Sequence, residues 1–385
     1  MNKPIRHGYW GSQVDYRELL QKIEEIGPIL EKNAAADEEK GELTEESFEA
    51  LKPLRFSHLL ATEALGGAQL PPTQVLELLS AVTWHSGSAG WVSMVHCCIG
   101  AMSAAFLPDS AVERLFGPGT DNRFSGQGAP LGMLKKVEGG YRLTGKWSYG
   151  SGFSHATYSH SACFVDDGTG KPAKDENGNV IVMCAHAPIG EHVQLGNWDV
   201  LGLGGTGSID YAAEDVFIAG VVGLAAIGHA GWALGTGRRM LDEIAKFARS
   251  KSGRAGLLGE SEKFWYDYGR AEARYRAARA FVFETWRDIE ATVEAGSAVT
   301  TQQISLVHLA KSEIHEAGVD ICNFAYRASG GAGLRAGVIQ RTFREMMVAA
   351  NHFTIAPSIV TSAGRNIGGQ WTNRVWQFYD LIEKK

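Results

Sequence analysis

The chain has 385 residues, of which 44% are hydrophobic and 21% are charged, a composition typical of a folded globular protein with two or three domains. Its formal net charge of −6 argues against general nucleic-acid binding. The five cysteines include no CxxC pair, and the spacing of His155 and His160 fits no known zinc pattern, so no metal site is expected. No apolar run approaches 18 residues and the N-terminus lacks the apolar segment of a signal peptide, so we expect a cytoplasmic protein without a membrane span.

The first part of the chain is patterned as helix. Leucine and isoleucine residues recur at three- and four-residue steps in YRELLQKIEEIGPILEKNAAADEEKG. Thr44 precedes the next helical segment in the position of an N-cap, and one or two apolar helices follow, with a break near Ser86 and Gly87. We therefore predict an N-terminal helical domain over residues 1–120.

The middle of the chain changes to strand patterning. Gly139 and Gly140 separate two runs of alternating apolar residues, which indicates a β-hairpin, and HATYSHSACFVDD and VIVMCAHAP predict a further strand pair. From about residue 226, three long segments are again patterned as helix. We predict a central β-domain over residues 121–225 and a C-terminal helical bundle over residues 226–385.

The segment LGLGGTGS places Gly202, Gly204 and Gly207 in a G-x-G-x-x-G spacing, which is typical of dinucleotide-binding folds but is weak by itself. The residues after it, SIDYAAEDVFIAG, are patterned as strand, and no β-α alternation surrounds them. We therefore expect these glycines to shape a turn between strands. The hydroxyls of Thr206 and Ser208 would then face a pocket or cap the turn.

Several ordered motifs resemble the acyl-CoA dehydrogenase superfamily. VEGGYRLTGKWSYGSGFSHA is similar to its hairpin and flavin-contact segment, and WDVLGLGGTGSIDYAAEDVFI is similar to the segment that follows. ASGGAGL and RTFREM are similar to its C-terminal Gly-rich turn and Arg-containing helix. The resemblance implies an α+β fold of the acyl-CoA dehydrogenase type, with an N-terminal helical domain, a central β-barrel-like domain and a C-terminal four-helix bundle.

Two branches of this superfamily differ in their chemistry. Many acyl-CoA dehydrogenases carry a catalytic base in a Glu-Gly-Thr segment, where this chain reads AANHFTI, with His352 and no Glu. The two-component flavin-dependent monooxygenases are similar to this chain in four motifs: SAGWVSMVH, WSYGSGFSH, TGS and REMMVAANH. Three departures are Glu345, where that branch often has Asp, Gly150, where it often has Ser, and the segment FSGQGAP, which differs from the usual Ser-rich form.

The monooxygenase resemblance implies a function and a set of partners. It implies an oxygenase component that uses reduced flavin and O2, through a C4a-hydroperoxyflavin, to hydroxylate a phenol- or indole-type compound. Reduced FAD or FMN would be the cofactor, with FAD favoured, and Thr206 and Ser208 would be among its contacts. The partners would be a separate NAD(P)H:flavin reductase and further copies of the chain in a homotetramer. The alternatives are an acyl-CoA dehydrogenase or flavin oxidase with a displaced base, and a non-catalytic assembly protein that kept the fold.

Three residues are expected to act on the substrate. His352 could deprotonate a phenol or an indole N–H, or hold a reactive oxygen protonated. By helical spacing it follows Arg344 by two turns, so we expect both to face one pocket. His96 lies in the apolar segment WVSMVHCCIG and either orients the substrate or is bonded structurally. Ser125, in RFSGQGAP, is a further candidate substrate contact.

The remaining flavin contacts are expected on the hairpin and on the C-terminal Arg helix. Ser151 would lie near flavin N5 by its position in the motif, the alternative being a plain turn serine. Trp147 and Tyr149 alternate along one strand and would pack on the isoalloxazine, the alternative being core packing. Arg344 could bind the flavin phosphate through its guanidinium group, or it could pair with acidic neighbours.

Overall fold

The elements of the chain follow the order helices, strands, helices in the computed structural model. The described residues are 10–11, 13–107, 109–117, 119–176, 178–218, 221–222, 228–250, 252–253, 256–377 and 379–383. The last N-terminal helix ends at Phe116 and the first strand begins at Phe124. The predicted boundary near residue 225 lies outside the described residues.

The bounds of the regular elements are as follows. The α-helices are α1 Tyr16–Lys40, α2 Glu45–Leu51, α3 Pro72–His85, α4 Gly87–Phe106, α5 Asp109–Phe116, α6 Gly228–Ser250, α7 Glu262–Glu294, α8 Thr301–Ala328, α9 Val338–Ala349 and α10 Pro357–Ile367. The strands are β1 Phe124–Val137, β2 Gly140–Gly150, β3 Tyr158–Val165, β4 Val182–Ala185, β5 Val193–Gly196, β6 Ile209–Ile218, β7 Val221–Val222, β8 Ser252–Gly253, β9 Gly256–Leu257, β10 Arg374–Gln377 and β11 Asp380–Glu383.

Local capping residues set the ends of the N-terminal helices. The side chain of Asp15 accepts a hydrogen bond from the backbone N–H of Arg17 at the start of α1, and Gly41 ends this helix with a φ of 78°. Thr44 caps α2, as predicted, by accepting from the backbone N–H of Ser47. These caps satisfy backbone groups that the helices themselves leave without partners.

The predicted break between α3 and α4 is confirmed. Ser86 follows α3 and its hydroxyl accepts from the backbone N–H of Ala89 in the first turn of α4. By length and composition α4 could cross a bilayer, but 67% of its most apolar window is buried inside the fold. It packs against α3, α6 and β1, and so acts as a core helix between the sheet and the bundle.

In the described part of the chain, the main sheet has seven strands in the order β5-β6-β2-β1-β3-β4-β7. β1 and β2 form the predicted hairpin, with Val137 opposite Gly140, and β3 pairs antiparallel with β4. β1 and β3 run parallel. Trp147, Tyr211 and Phe153 stack on one another in the buried face of this sheet.

The glycine-rich segment LGLGGTGS forms a turn that leads into a strand. Gly204–Thr206 is one short 3₁₀ turn, and the flanking Leu203 and Gly207 have φ angles of 62° and 53°. The chain then enters β6 at Ile209. The turn between strands predicted from the sequence is therefore confirmed, and the phosphate-facing helix of a dinucleotide-binding fold does not follow these glycines.

The C-terminal helices pack as a bundle. α8 contacts α6, α7, α9 and α10, and the side chains of Trp232, Ile314 and Ile321 are fully buried at its centre. Their burial supplies the apolar area that holds such antiparallel helices together.

One helix of this region was predicted as a single element and is divided. α9 ends at Ala349 and α10 begins only at Pro357, so the residues between them leave the helical path. Proline restricts the residue before it, and Ala356 is accordingly extended, with a ψ of 147°. The side chain of His352 stabilises the break by accepting the backbone N–H of Thr354. The prediction that His352 follows Arg344 by two turns of one helix is therefore wrong, because α9 ends before His352.

Candidate functional site

A cavity of about 510 Å³ lies where the N-terminal helices, the sheet and the bundle meet. Its wall is formed by α4, the beginning of β1, the end of β2, the loop before β6, the start of α6 and the segment after α9. The polar and aromatic side chains of the wall include Trp91, Gln127, Tyr149, Ser151, His160, Trp198, Ser208, His229, His352 and Tyr379. A concave site of this size with mainly apolar walls and a few polar groups is typical of a small-molecule site.

A row of hydrogen-bonded side chains runs along one side of the cavity. The indole N–H of Trp91 donates to Ser151 Oγ at 3.1 Å. Ser151 Oγ is 2.6 Å from Ser208 Oγ, which is 2.7 Å from Thr206 Oγ1. Thr206 Oγ1 donates to the carbonyl oxygen of Leu203 at 2.8 Å. The row thereby joins α4, the end of β2 and the glycine-rich turn.

The carbonyl at the end of this row fixes the direction of every hydroxyl in it. A carbonyl oxygen can only accept, so the hydroxyl proton of Thr206 is donated to Leu203. Thr206 Oγ1 must therefore accept from Ser208. Ser208 then has no second proton to give and accepts from Ser151. Ser151 Oγ accepts from Trp91 and donates to Ser208, so it offers the cavity a lone pair rather than a proton.

Two of the expected substrate contacts lie behind Ser151 and do not reach the cavity. Ser125 is fully buried and its hydroxyl donates to the carbonyl oxygen of Ser151 at 2.6 Å. His96 Nε2 lies 3.4 Å from the carbonyl oxygen of Gly152, and burial lowers the pKa of His96 to about 3. A neutral His96 donates to that carbonyl. Both residues therefore position the backbone at Ser151, because their polar atoms are already used there.

The two aromatic residues expected on one strand face lie on opposite sides. Trp147 is fully buried, stacks on Tyr211 and donates its indole N–H to the carbonyl oxygen of Ala162 at 2.8 Å. Tyr149 is 64% exposed, lines the cavity and has a φ of 65°. The pairing of β2 with β6 shifts register between Trp147 and Gly150, and such an irregularity turns a side chain to the other face. Trp147 is a core residue, and Tyr149 alone of the two reaches the site.

Arg344 takes the second role considered for it. Its guanidinium group forms an ion pair with Glu38 of α1, with Nη2 2.9 Å from Oε2, and Nη1 also donates to the carbonyl oxygen of Leu201. The pairing with Glu38 raises the pKa of Arg344. Arg344 does not line the cavity. It connects α1, α9 and the loop before β6.

His352 lies in the cavity wall with one ring nitrogen already bound. Its Nδ1 accepts the backbone N–H of Thr354 at 3.4 Å and lies 3.0 Å from the hydroxyl of the same residue. In the neutral imidazole the proton is therefore on Nε2. Burial, with the nearby His315 and Lys311, lowers the pKa of His352 to about 3. Of the two roles expected for it, this geometry favours the donor over the base.

Trp91 and His229 surround His352 and were not singled out from the sequence. The ring of Trp91 meets His352 edge-on at 5.7 Å, and His229 lies 4.3 Å from His352, between ring centroids. Burial and the neighbouring His352 hold the pKa of His229 well below its usual value. Trp91 lies within the motif SAGWVSMVH, so that motif held a usable signal. His229 opens α6 without a motif of its own, and only the fold brings it to the site.

His160 is a further wall residue, which the sequence analysis considered only as a metal ligand and rejected as one. Its Nδ1 lies 3.2 Å from Nε2 of His186, and its own Nε2 is buried without a hydrogen-bond partner among the described residues. His155 lies elsewhere and bonds the carbonyl oxygen of Leu43. Within the described ranges, no group of three His, Cys, Asp or Glu side chains is arranged to hold a metal ion.

The donors and acceptors of the wall fit a flavin ring. Tyr149 and Trp198 offer aromatic surfaces to a flat ring and meet edge-on at 6.2 Å. Ser151 Oγ offers an acceptor, and the unpartnered Nε2 of His160 can bond a polar ring atom. Gly126 allows β1 to approach β3 closely beside the cavity, since a Cβ there would lie 2.0 Å from the carbonyl oxygen of His160. These residues would hold the ring against the ends of β1 and β2.

Comparison with known proteins identifies the fold. Residues 227–357 match the family model described as acyl-CoA dehydrogenase, C-terminal domain. The chain is similar to XiaF from Streptomyces sp., a structure in complex with FADH2 and glycerol, with a TM-score of 0.85, 18% identity and coverage of 95% of this chain and 98% of XiaF. The chain has the acyl-CoA dehydrogenase fold. The fold class predicted from the sequence is confirmed.

The chain is also similar in sequence to two curated relatives. The chain is 30% identical over 201 residues to a flavin-dependent monooxygenase, oxygenase subunit HsaA, of Rhodococcus jostii (strain RHA1), a match that spans 52% of this chain and only 50% of HsaA. It is 25% identical over 353 residues to indole-3-acetate monooxygenase of Pseudomonas putida, with coverage of 84% of each. The resemblance found in the motifs is confirmed, as is the prediction of an enzyme, since both relatives are named as monooxygenases.

Proposed function

We propose that the chain is the oxygenase component of a two-component flavin-dependent monooxygenase, which uses reduced flavin and O2 to hydroxylate an aromatic or heteroaromatic compound. The observation that carries the proposal is the pairing, across one apolar cavity, of an acceptor at Ser151 with a donor at His352. The names of the two relatives, one of them acting on indole-3-acetate, support a phenol- or indole-type substrate.

The residues of the wall divide the work between cofactor and substrate. When bound, reduced flavin supplies the electrons that activate O2. Ser151 Oγ would accept from the ring N–H that a reduced flavin carries at N5 and an oxidised flavin lacks. His352 Nε2–H would donate a hydrogen bond to an oxygen that develops negative charge. The apolar residues of α4, such as Met94 and Ile99, keep water from the reacting groups.

The dehydrogenase alternative requires a carboxylate that can reach the substrate. Among the described residues of the cavity wall, the titratable groups are imidazoles, phenols and a thiol, without an Asp or Glu. Glu345 is the acidic residue of α9, and it is buried beside Gly87 at the start of α4 instead. The wall therefore supports oxygen chemistry on a neutral ring more than removal of a proton from an acyl chain.

The proposal includes two partners. A separate NAD(P)H:flavin reductase would supply the reduced flavin, because the one G-x-G-x-x-G segment of the chain is a turn into β6 and not a dinucleotide site. A homotetramer is supported by the exposed aromatic residues Trp265 and Tyr266 on α7, which are 38% and 65% exposed. Light scattering of the purified protein would test the second point.

The direct test is to mix the protein with photoreduced FAD or FMN and then with oxygenated buffer in a stopped-flow instrument. We expect an absorbance transient that free flavin does not show, and, with a panel of phenols and indoles, a product one oxygen atom heavier than its parent. Direct formation of oxidised flavin at the free-flavin rate would contradict the proposal. Bleaching of a complex with oxidised FAD by an acyl-CoA would support the dehydrogenase instead.

A further inference from the structure

Lys311 is a buried cation that the proposed reaction does not use. It lies on α8 with 1% of its surface exposed. Its Nζ is 3.2 Å from Nδ1 of His308 and 5.1 Å from the ring centroid of Tyr379, which lines the cavity. No ion pair to Lys311 is found within the described part of the chain. Burial lowers the pKa of Lys311 to about 7, so a substantial fraction is charged at neutral pH and below.

Three imidazole rings, those of His315, His229 and His352, follow one another by ring contact from α8 to the cavity. One turn further along α8, His315 Nδ1 donates to the carbonyl oxygen of Lys311 at 2.8 Å, which leaves the lone pair on Nε2. That Nε2 is buried and has no hydrogen-bond partner among the described residues. The ring of His315 lies 6.3 Å from the ring of His229, and His229 lies 4.3 Å from His352.

The groups that face His352 are basic or neutral on every side. The titratable side chains of the surrounding elements are Cys98 of α4, His229 of α6, His308, Lys311 and His315 of α8, Tyr379 of the C-terminal hairpin, and, across the cavity, Tyr149 and His160 of the sheet. The cavity wall has no carboxylate among its described residues. A proton added to His352 would therefore create a second cation near Lys311 with no counter-ion in the cavity wall.

We propose that Lys311 is a positioning residue whose buried ammonium group, together with the neighbouring rings of His315 and His229, disfavours the imidazolium form and keeps His352 as a neutral hydrogen-bond donor. The inference rests on the proposed function only where it says that the Nε2–H of His352 donates to an oxyanion. Lys311 raises the cost of the imidazolium form, while Thr354 holds Nδ1 and so selects the tautomer. An oxyanion that forms in the cavity then meets an N–H donor at any pH near neutral.

The test is the protonation of His352 itself, which needs neither flavin nor substrate. Protein labelled with ¹⁵N-histidine is titrated between pH 4 and 8 and followed by long-range ¹H–¹⁵N correlation, with the His352 signals assigned from their loss in His352→Gln. We expect the wild type to show a neutral Nε2–H ring. In Lys311→Met the titration of His352 should move up by about one pKa unit, which is a roughly tenfold larger imidazolium fraction at pH 4.5.

Matched variants separate this effect from general changes. Lys263→Met removes an exposed lysine of α7, and Ile321→Val alters a buried position of α8 that contributes none of these rings; both should titrate like the wild type. Lys311→Arg should restore the wild-type titration because it keeps the charge. If Lys311→Met does not fold, His315→Gln removes a basic ring that also disfavours the imidazolium form of His352 and should shift the titration in the same direction.

Two results would overturn the inference: an unchanged His352 titration in the folded Lys311 or His315 variants, or an Nδ1–H ring in the wild type. The outcome is separate from the proposed function. A chain that fails to hydroxylate any substrate can still show the shift at His352, and a chain that hydroxylates efficiently can lack it.

Discussion

The indole N–H of Trp91 donates to Ser151 Oγ at 3.1 Å, while the same indole meets the ring of His352 edge-on at 5.7 Å. Trp91 is only 6% exposed and also packs edge-on against Trp232. A single rigid side chain of α4 thus sets the separation between the acceptor and the donor of the cavity. Precise spacing of this kind is what a site gains when its polar groups are held by buried neighbours.

The fixed direction of the hydroxyl row predicts the redox preference of the site. Thr206→Val keeps the shape of the side chain but removes the proton that now goes to Leu203 and the acceptor for Ser208. Ser208 can then donate to Ser151, and Ser151 can donate into the cavity, which suits an oxidised flavin. We expect the ratio of affinities for reduced over oxidised flavin to fall roughly fivefold, the equivalent of one hydrogen bond of about 1 kcal/mol.

This ratio is measured by titrating the protein with FMN in both redox states. Thr206→Ser keeps the hydroxyl and serves as the matched control. An equal ratio in wild type, Thr206→Ser and Thr206→Val would show that the row does not select the redox state.

The contacts of Arg344 predict a structural and not a cofactor-binding phenotype. Arg344→Gln breaks the ion pair with Glu38 and the bond to Leu201, so the free energy of unfolding should fall by roughly 2 kcal/mol. The affinity ratio of FMN to riboflavin should not change, because Arg344 does not line the cavity and its guanidinium group is bound to Glu38 and Leu201. Arg341→Gln, a loss of charge on the same helix, is the control. A loss of FMN binding with riboflavin binding intact would contradict this prediction and indicate that Arg344 binds the flavin phosphate.

Because the tautomer of His352 is fixed with its proton on Nε2, replacement of the ring should uncouple O2 consumption from hydroxylation of the substrate. His352→Asn retains a side-chain oxygen that can accept the N–H of Thr354, so the break after α9 should persist. The Nε2–H donor is lost, and the rate of hydroxylation should fall roughly a hundredfold, within the range for loss of one hydrogen-bond donor to a developing oxyanion. Flavin binding and O2 consumption should continue. The measurement is product formed per O2 consumed, and an unchanged ratio would argue against a role for the ring.

The elements that were predicted correctly depend on neighbouring residues. Thr44 caps the helix that begins one residue later, Ser86 both ends α3 and caps α4, and Gly139 lies in the turn of the β1–β2 hairpin. Each is decided within a few residues, so the sequence pattern contains the cause. The order of helices, strands and helices follows from these local signals.

The features that were missed depend on distant partners or on small irregularities. The pairing of Arg344 with Glu38 joins residues 306 positions apart, and no local pattern indicates it. The shift in pairing between β2 and β6 turns Tyr149 away from the face of Trp147, where simple alternation would place both. His229 reaches the site only because α6 packs against α4 and α9.

The burial of Glu345 predicts a pH-dependent stability. Its carboxylate lies at the start of α4, where a Cβ on Gly87 would be 2.3 Å from Oε2. Burial raises the pKa of Glu345 from 4.5 to about 7. Because the folded pKa is the higher one, the folded state binds this proton more tightly than the unfolded chain does. Its contribution to stability is therefore fully present below pH 4.5 and is lost as the pH rises to 7.

Glu345→Gln removes this titration and should change the pH profile of unfolding. Between pH 4.5 and pH 8, the free energy of unfolding of the variant should rise by up to about 3 kcal/mol relative to that of the wild type. This is the free-energy equivalent of the pKa shift of Glu345. The gain is smaller where the N-terminal N–H groups of α4 stabilise the ionised form. Urea unfolding at both pH values measures it, with the exposed Glu316→Gln of α8 as control. If the difference between Glu345→Gln and wild type is the same at both pH values, the carboxyl group of Glu345 does not titrate in this range.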